Sequence, residues 1–189
     1  MRKILVVVDM QNDFIDGALG TAEALAIVEN VKAKIREYDP EDVFATMDTH
    51  GPDYLSTQEG RNLPIEHCIK GTVGWMIRRD IAELLDGAHI YEKPTFGSLK
   101  LAKDIAAIAS EEAAKQGDGT QGLEIEIVGL CTDICVVSNA LLLKAVMPEV
   151  KISVDPECCA GVTPESHETA LITMEMCQIG MSSGGGDAE

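Results

Sequence analysis

An α/β fold with a parallel sheet covered by helices on both faces is predicted from three features of the sequence. Short runs rich in β-branched residues alternate with longer stretches of helical period along the chain, the rhythm that parallel crossovers require. The first run, Ile4–Val8, is apolar at every position, as a buried strand must be. At 189 residues the chain can bury roughly 70% of its unfolded surface around one core. One domain is expected over 1–181, with the Gly, Ser and acid-rich 182–189 as a disordered tail.

In chain order, Lys3–Val8 reads as strand one, ended by the charge of Asp9, and Ala22–Glu37 as an amphipathic helix. Asp42–Thr46 is strand two. The following segment, Asp48–Gly74, lacks a regular pattern and exceeds the usual loop length of a compact domain, which marks it as a functional loop. Ile77–Leu85 reads as a helix, His89–Tyr91 as strand three and Leu99–Ala114 as a helix. Gln116–Gly122 is a Gly-rich polar turn before strand four, Leu123–Val128. Asp133–Val146 is a helix, Val150–Val154 strand five, and Pro164–Cys177 a helix whose proline suits the first turn. Cys177–Met181 adds a short edge strand.

The charge excludes whole classes of partner. With 15 basic and 32 acidic residues the formal charge is -17, which repels nucleic acid phosphates and anionic lipid headgroups alike. No apolar stretch approaches the roughly 20 residues of a membrane helix. The Ile4–Val8 run is too short for an export signal. A cytoplasmic location is therefore expected, with the six cysteines reduced. Their spacing matches no zinc-knuckle pair.

In open α/β sheets, ligands bind beyond the carboxyl ends of the strands, near the point where strand order reverses. Asp9 ends strand one, Asp48 and His50 follow strand two, Lys93 follows strand three, and Cys135 lies just after strand four. Cys135 closes Gly129–Cys135, a strand passing through a tight turn into a helix, like a nucleophile elbow. Thr132 would cap that helix and place the thiol in its first turn, where free N–H groups and the helix dipole favour a thiolate. The same N–H groups would hold a tetrahedral oxyanion, worth roughly 3 kcal/mol per donor. The plainer reading makes Cys135 a small buried hydrophobe.

Asp9, at the end of a buried run, can take a thiol proton and return it to a leaving amine. Lys93, in Glu92–Pro94, is the candidate cation beside it. The plainer readings are a turn residue and a solvated lysine. Asp48 and His50 alternate and so point to one side of an extended segment. With Glu59 and His67 in the same loop they form a nitrogen and oxygen donor set suited to Zn, Mn or Fe. His89 and His167 read as structural, although either would serve as base in place of Asp9 if the strands fell elsewhere. Phe14 and Trp75 are core or stack on a planar substrate.

These residues resemble the isochorismatase-like cysteine hydrolases, and within them the nicotinamidase branch. The motifs are Val8–Phe14, Asp48–Thr49–His50, Pro64–Cys68 with the nearby Gly71–Thr72, Glu92–Lys93 and Gly129–Val136. Each is weak alone, but together and in order they are specific, and they cover nearly the whole chain. The resemblance implies a three-layer α/β/α sandwich on a six-stranded parallel sheet in the order 3-2-1-4-5-6. It implies an Asp9–Lys93–Cys135 triad, a cis peptide before Cys131, and an oxyanion hole from the N–H groups of Cys131 and Cys135. It also implies a divalent metal, zinc first, on Asp48, His50 and His67, with Glu59 as a further carboxylate.

Phe14, Leu63, Leu130 and Tyr54 are the expected substrate contacts. Leu63 stands where many nicotinamidases carry an aromatic ring, and Tyr54 or Trp75 is the candidate substitute. One extra residue between Asp48 and His67 leaves the Glu59 assignment open. The implied reaction is hydrolysis of nicotinamide to nicotinate and ammonia through a Cys135 thioester, in a homodimer or homotetramer. The alternatives are a ureido or carbamoyl amide as substrate, or a catalytically silent binding module on the same fold.

Overall fold

The computed structural model describes residues 1–116 and 121–182. The Gly-rich turn falls partly, and the expected tail almost wholly, outside the described residues. β1 (Arg2–Val8), β2 (Val43–Asp48), β3 (His89–Lys93), β4 (Leu123–Leu130), β5 (Lys151–Ala160) and β6 (Gly180–Met181) form one parallel sheet in the order 3-2-1-4-5-6. The order reverses at β1, which pairs with β2 on one side and β4 on the other. Register sets Val8 opposite Gly129 and Asp48 opposite Lys93, so the next residues of each chain emerge on one rim.

Around the sheet run α1 (Asn12–Ile15), α2 (Ala22–Ala26), α3 (Val28–Ile35), α4 (Gln58–Asn62), α5 (Arg79–Ala82), α6 (Leu99–Gln116), α7 (Val137–Val146) and α8 (Pro164–Met176). Side chains alternate across a strand, and β1 shows the result. Ile4, Val6 and Val8 pack with Leu101 and Ile105 of α6, Leu143 of α7 and Met174 of α8. Leu5 and Val7 turn the other way, to Val28, Val31 and Ile35 of α3 and Ile81 of α5. All five β1 residues are buried, each contributing roughly 1.5–3 kcal/mol.

Several elements differ from the sequence expectation. The helix over Ala22–Glu37 is two helices meeting at Ile27. The Ile77–Leu85 helix shrinks to α5 because Ile77 pairs with Gln11 in an isolated antiparallel bridge. β5 continues past Val154 to Ala160, and its register against β4 shifts between Ile127 and Gly129, placing Pro156 in the irregular stretch, where a missing ladder N–H does least harm. β6 covers only the last two residues of the expected edge strand.

Gly129 is required where β4 meets β1. Its φ is +119, and a Cβ there would lie 2.1 Å from the Val8 carbonyl oxygen, so any side chain would prise the two central strands apart beside the rim.

A buried charge cluster ties α3 to the sheet. Lys34 Nζ lies 3.1 Å from Asp155 Oδ2 and 3.3 Å from Glu126 Oε1. Tyr38 donates its hydroxyl to Glu126 at 2.8 Å, and Ser182 donates to the same carboxylate. Burial works against ionisation of Glu126, but the two hydroxyl donors and the Lys34 charge hold its carboxyl below the ordinary range. A depressed folded pKa stabilises above the unfolded value, and the gain is lost as pH falls through the folded one. Glu126→Gln is therefore expected to flatten the loss of stability between about pH 5 and pH 3, read by denaturant unfolding across that range. Lys34→Met strands the fully buried Asp155 and is expected to cost about 3–5 kcal/mol; a variant as stable as the parent would show that water already reaches the pair.

Candidate active site

The rim of the sheet gathers a thiol, two carboxylates and an ammonium group. Asp9 follows β1 with a left-handed φ of 48, sparsely populated outside glycine. That turn directs its N–H to the Thr46 carbonyl at 3.2 Å, while Thr46 donates its hydroxyl to Asp9 Oδ1 at 2.6 Å. Lys93, the last residue of β3, extends its Nζ to 2.7 Å from Asp9 Oδ2, 3.3 Å from Asp48 Oδ1 and 3.4 Å from Cys135 Sγ. All four residues are buried. The contact to Asp9 Oδ2 is an ion pair without hydrogen-bond alignment, so this oxygen keeps an unused acceptor site.

Burial lifts the Asp9 carboxyl above its ordinary value, against the pull of Lys93 and with a push from Asp48. Burial would discharge Lys93, but Asp9, Cys135 and Asp48 together hold it protonated, above its ordinary value. Burial also raises the Cys135 thiol well above its ordinary value, and Asp9 adds to the rise while Lys93 opposes it. Burial thus works against the thiolate that a helix N-terminus favours, and the Lys93 charge works for it.

The local path keeps the cis peptide that the resemblance implies and departs from the sequence reading at the helix start. The Leu130–Cys131 peptide is cis, and Thr132–Val136 forms one π-helical turn ahead of α7. The Cys131 carbonyl accepts from the N–H of Ile134 and of Val136. Thr132 does not cap this turn; its hydroxyl pairs with His167 Nδ1 at 2.8 Å. Asn139, one turn past the thiol, donates to the Cys135 carbonyl at 2.7 Å and accepts the Ser98 N–H at 2.9 Å. Sequence reasoning passed over Asn139; a buried amide on an apolar helix four residues after a candidate nucleophile was the signal. It also gave no task to Gln11, whose side chain brackets Asp48 by donating to its carbonyl at 2.8 Å and accepting its N–H at 2.7 Å.

Asp48, His50, Glu59 and His67 converge, with one donor atom from each lying within 4.8 Å of all the others. His50 Nε2 is 2.9 Å from Asp48 Oδ2 and 3.6 Å from Glu59 Oε1. His67 Nε2 is 3.7 Å and 3.8 Å from the same two oxygens. A tetrahedral ion with bonds of about 2.0–2.1 Å spaces its ligands about 3.3 Å apart, so the set fits. The chemistry fits too. His67 Nδ1 pairs with the Ile65 carbonyl at 2.9 Å, which leaves Nε2 as the free lone pair. His50 Nε2 is buried without a hydrogen-bond partner, which is costly unless an ion takes it. His50 reaches the site because its backbone bridges Ile69 in parallel, bringing His67 alongside. Glu59 arrives on α4, a helix capped by Thr57 inside the supposedly irregular loop.

Asp48 joins the two groups, with Oδ1 toward Lys93 and Oδ2 toward the histidines. A cavity of 610 Å³ opens over them, and Phe14, Leu63, His67, Cys131 and Cys135 are among its walls. Leu130 and Tyr54, expected as substrate contacts, are fully buried and line no part of it. The Tyr54 ring packs under His50 and His67, with centroids 4.7 Å and 5.0 Å away, and its hydroxyl donates to the Leu63 carbonyl. It supports the histidines instead of the substrate. Trp75 donates its indole N–H to Thr49 Oγ1 and also lies off the cavity. His89 stacks on Phe44, where β3 starts, at the opposite end of that strand from Lys93.

A parallel sandwich with a thiol, a carboxylate and an ammonium group at its strand switch point defines a hydrolase. The chain belongs to the isochorismatase family, whose Isochorismatase domain model matches residues 3–183. It is 28% identical over 176 residues to the isochorismatase family protein PncA of Bacillus subtilis (strain 168), covering 90% of this chain and 93% of that one. Among solved structures, the pyrazinamidase of Pyrococcus horikoshii in complex with zinc superposes with a TM-score of 0.71 at 26% identity, over 97% of this chain and 99% of that one. The nicotinamidase PncA of Bacillus subtilis superposes with a TM-score of 0.70 at 26% identity, over 95% and 98%.

Proposed function

We propose that this chain hydrolyses a ring carboxamide, nicotinamide first among candidates, to the carboxylate and ammonia through a thioester on Cys135. The observation that carries the reading is the position of Lys93 Nζ, in contact with both the Asp9 carboxylate and the Cys135 sulfur. Asp9 takes the thiol proton, and the adjacent ammonium stabilises the sulfur anion as it forms. The sulfur attacks the amide carbon while the N–H groups of Cys131 and Cys135 receive the oxyanion. The C–N bond then breaks, Asp9 returns its proton to the nitrogen, and ammonia leaves. Water adds to the thioester, releasing the carboxylate and restoring the thiol.

Asp48, His50, Glu59 and His67 would hold a divalent ion, zinc first and manganese or iron next, whose Lewis acidity would fix a ring nitrogen of the substrate. Phe14 and Leu63 supply the apolar faces for the ring. A reducing cytoplasm suits this chemistry, since all six cysteines are free.

The test is ammonia release from nicotinamide, pyrazinamide and ureido amides, with and without chelator. The ring amides are expected to be turned over, and chelation to lower kcat/KM because the ion that fixes the ring nitrogen is removed. Turnover confined to ureido compounds and indifferent to chelator would replace this reading with the carbamoyl one.

A further inference from the structure

The cavity over Cys135 is larger than a one-ring amide needs. At 610 Å³ it falls within the roughly 300–1,000 Å³ that enclose drug-sized ligands. The reacting groups occupy one side, with Cys131, Cys135, Asp48 and His67. The rest of the wall is mostly apolar, with Leu19, Ala24, Ile134, Phe96 and Val162, and carries uncharged polar side chains such as Gln58 and Asn62. Phe96 is 45% exposed and Val162 51% exposed, so both stand at the solvent side of the cavity. Apolar side chains left half in water at the mouth of an active site gain from being covered by a ligand.

The charges around the cavity are also one-sided. Its lining residues include Asp48 and Glu59 but neither Lys nor Arg, and the chain carries a net charge of -17. Lys93 is committed to Asp9, Asp48 and Cys135 and does not line the cavity. A substrate bearing its own carboxylate would be desolvated against a wall that offers it neither lysine nor arginine.

We propose that the preferred substrates are uncharged primary carboxamides larger than one ring, whose acyl part carries a second apolar ring reaching Phe96 and Val162. This rests on the amide hydrolysis proposed above and narrows it. The reaction balances as before: the amide and one water give the carboxylate and ammonia, and the second ring takes no part in bond making.

The experiment compares nicotinamide with quinoline-3-carboxamide, which keeps the ring nitrogen and the amide and adds one fused ring, and with the same quinoline amide carrying a carboxylate on that ring. Each buried carbon increment in an apolar pocket is worth about tenfold or more in kcat/KM. Quinoline-3-carboxamide is expected to exceed nicotinamide by at least about tenfold, and the added carboxylate to reverse the gain. Val162→Trp, which narrows the mouth, is expected to lower the quinoline-to-nicotinamide ratio by about tenfold. Nicotinamide turned over as well as, or better than, the quinoline amide by the unmodified chain would overturn the size inference and leave amide hydrolysis standing. Equal turnover of the carboxylated amide would overturn the charge inference. Ammonia release from none of the three would end both readings together.

Discussion

Cys135→Ala is expected to lower ammonia release by about a million-fold, the scale on which removal of a covalent nucleophile is felt when its partners act as a unit. Residual turnover would come from whatever the oxyanion donors and bound water achieve alone. The fold should tolerate the change, because only the sulfhydryl group is lost, leaving a methyl side chain, and the turn is held by backbone and amide contacts, notably Asn139 to the Cys135 carbonyl. Loss of stability should stay near the lower end of large-to-small substitutions, about 1 kcal/mol. Two measurements check this: the ammonia assay, and thermal unfolding of parent and variant. Denatured mass spectrometry after rapid mixing with substrate should show the acyl adduct on the parent and none on the variant. A variant with a tenth of parental activity would remove the thioester from the mechanism, whatever the geometry of Lys93.

How much of this site was legible in the sequence follows from what kind of order each part has. The strands ended by Asp9 and Lys93 read clearly, because buried parallel strands are apolar runs that charges terminate, and the charges are the reactive groups themselves. Helix breaks were not legible. Ala24, Ile27, Val28, Val31 and Ile35 are all buried on one face, so the helical period runs unbroken across the join between α2 and α3. The five-residue α4 is too short to show a period at all, and Glu59 therefore looked like a loop residue.

Burial by tertiary contact was the other hidden term. The sequence offers Tyr54 as a substitute for the ring missing at Leu63, and Leu130 as a further substrate contact. The structure puts one ring under the two histidines and the other side chain in the core. The same hidden term acts on Cys135. A helix start favours a thiolate, whereas burial and the Asp9 and Asp48 charges push the thiol up against the pull of Lys93.

Lys93→Met is expected to damage both fold and activity, and it separates the structural from the chemical role of the ammonium group. In the parent, this cation lies between Asp9 and Asp48, all three buried. Methionine fills similar volume but leaves Asp9 with only the Thr46 hydroxyl and its own backbone turn for company. Breaking a buried pair from one side costs about 3–5 kcal/mol, since the remaining charge has lost its partner and its water. Denaturant unfolding of Lys93→Met should show that loss, and the double variant Asp9→Asn, Lys93→Met should recover the part that comes from Asp9, because an amide carries no stranded charge and can still accept from Thr46. Activity should not recover. The double variant lacks both the base that takes the Cys135 proton and the cation 3.4 Å from the sulfur, and ammonia release should stay at least about a thousand-fold below the parent. Recovery of stability without activity assigns the ion pair to catalysis as well as folding. A single variant that keeps parental stability and turnover would mean that the ammonium group is a bystander and that Asp9 is ionised by other means.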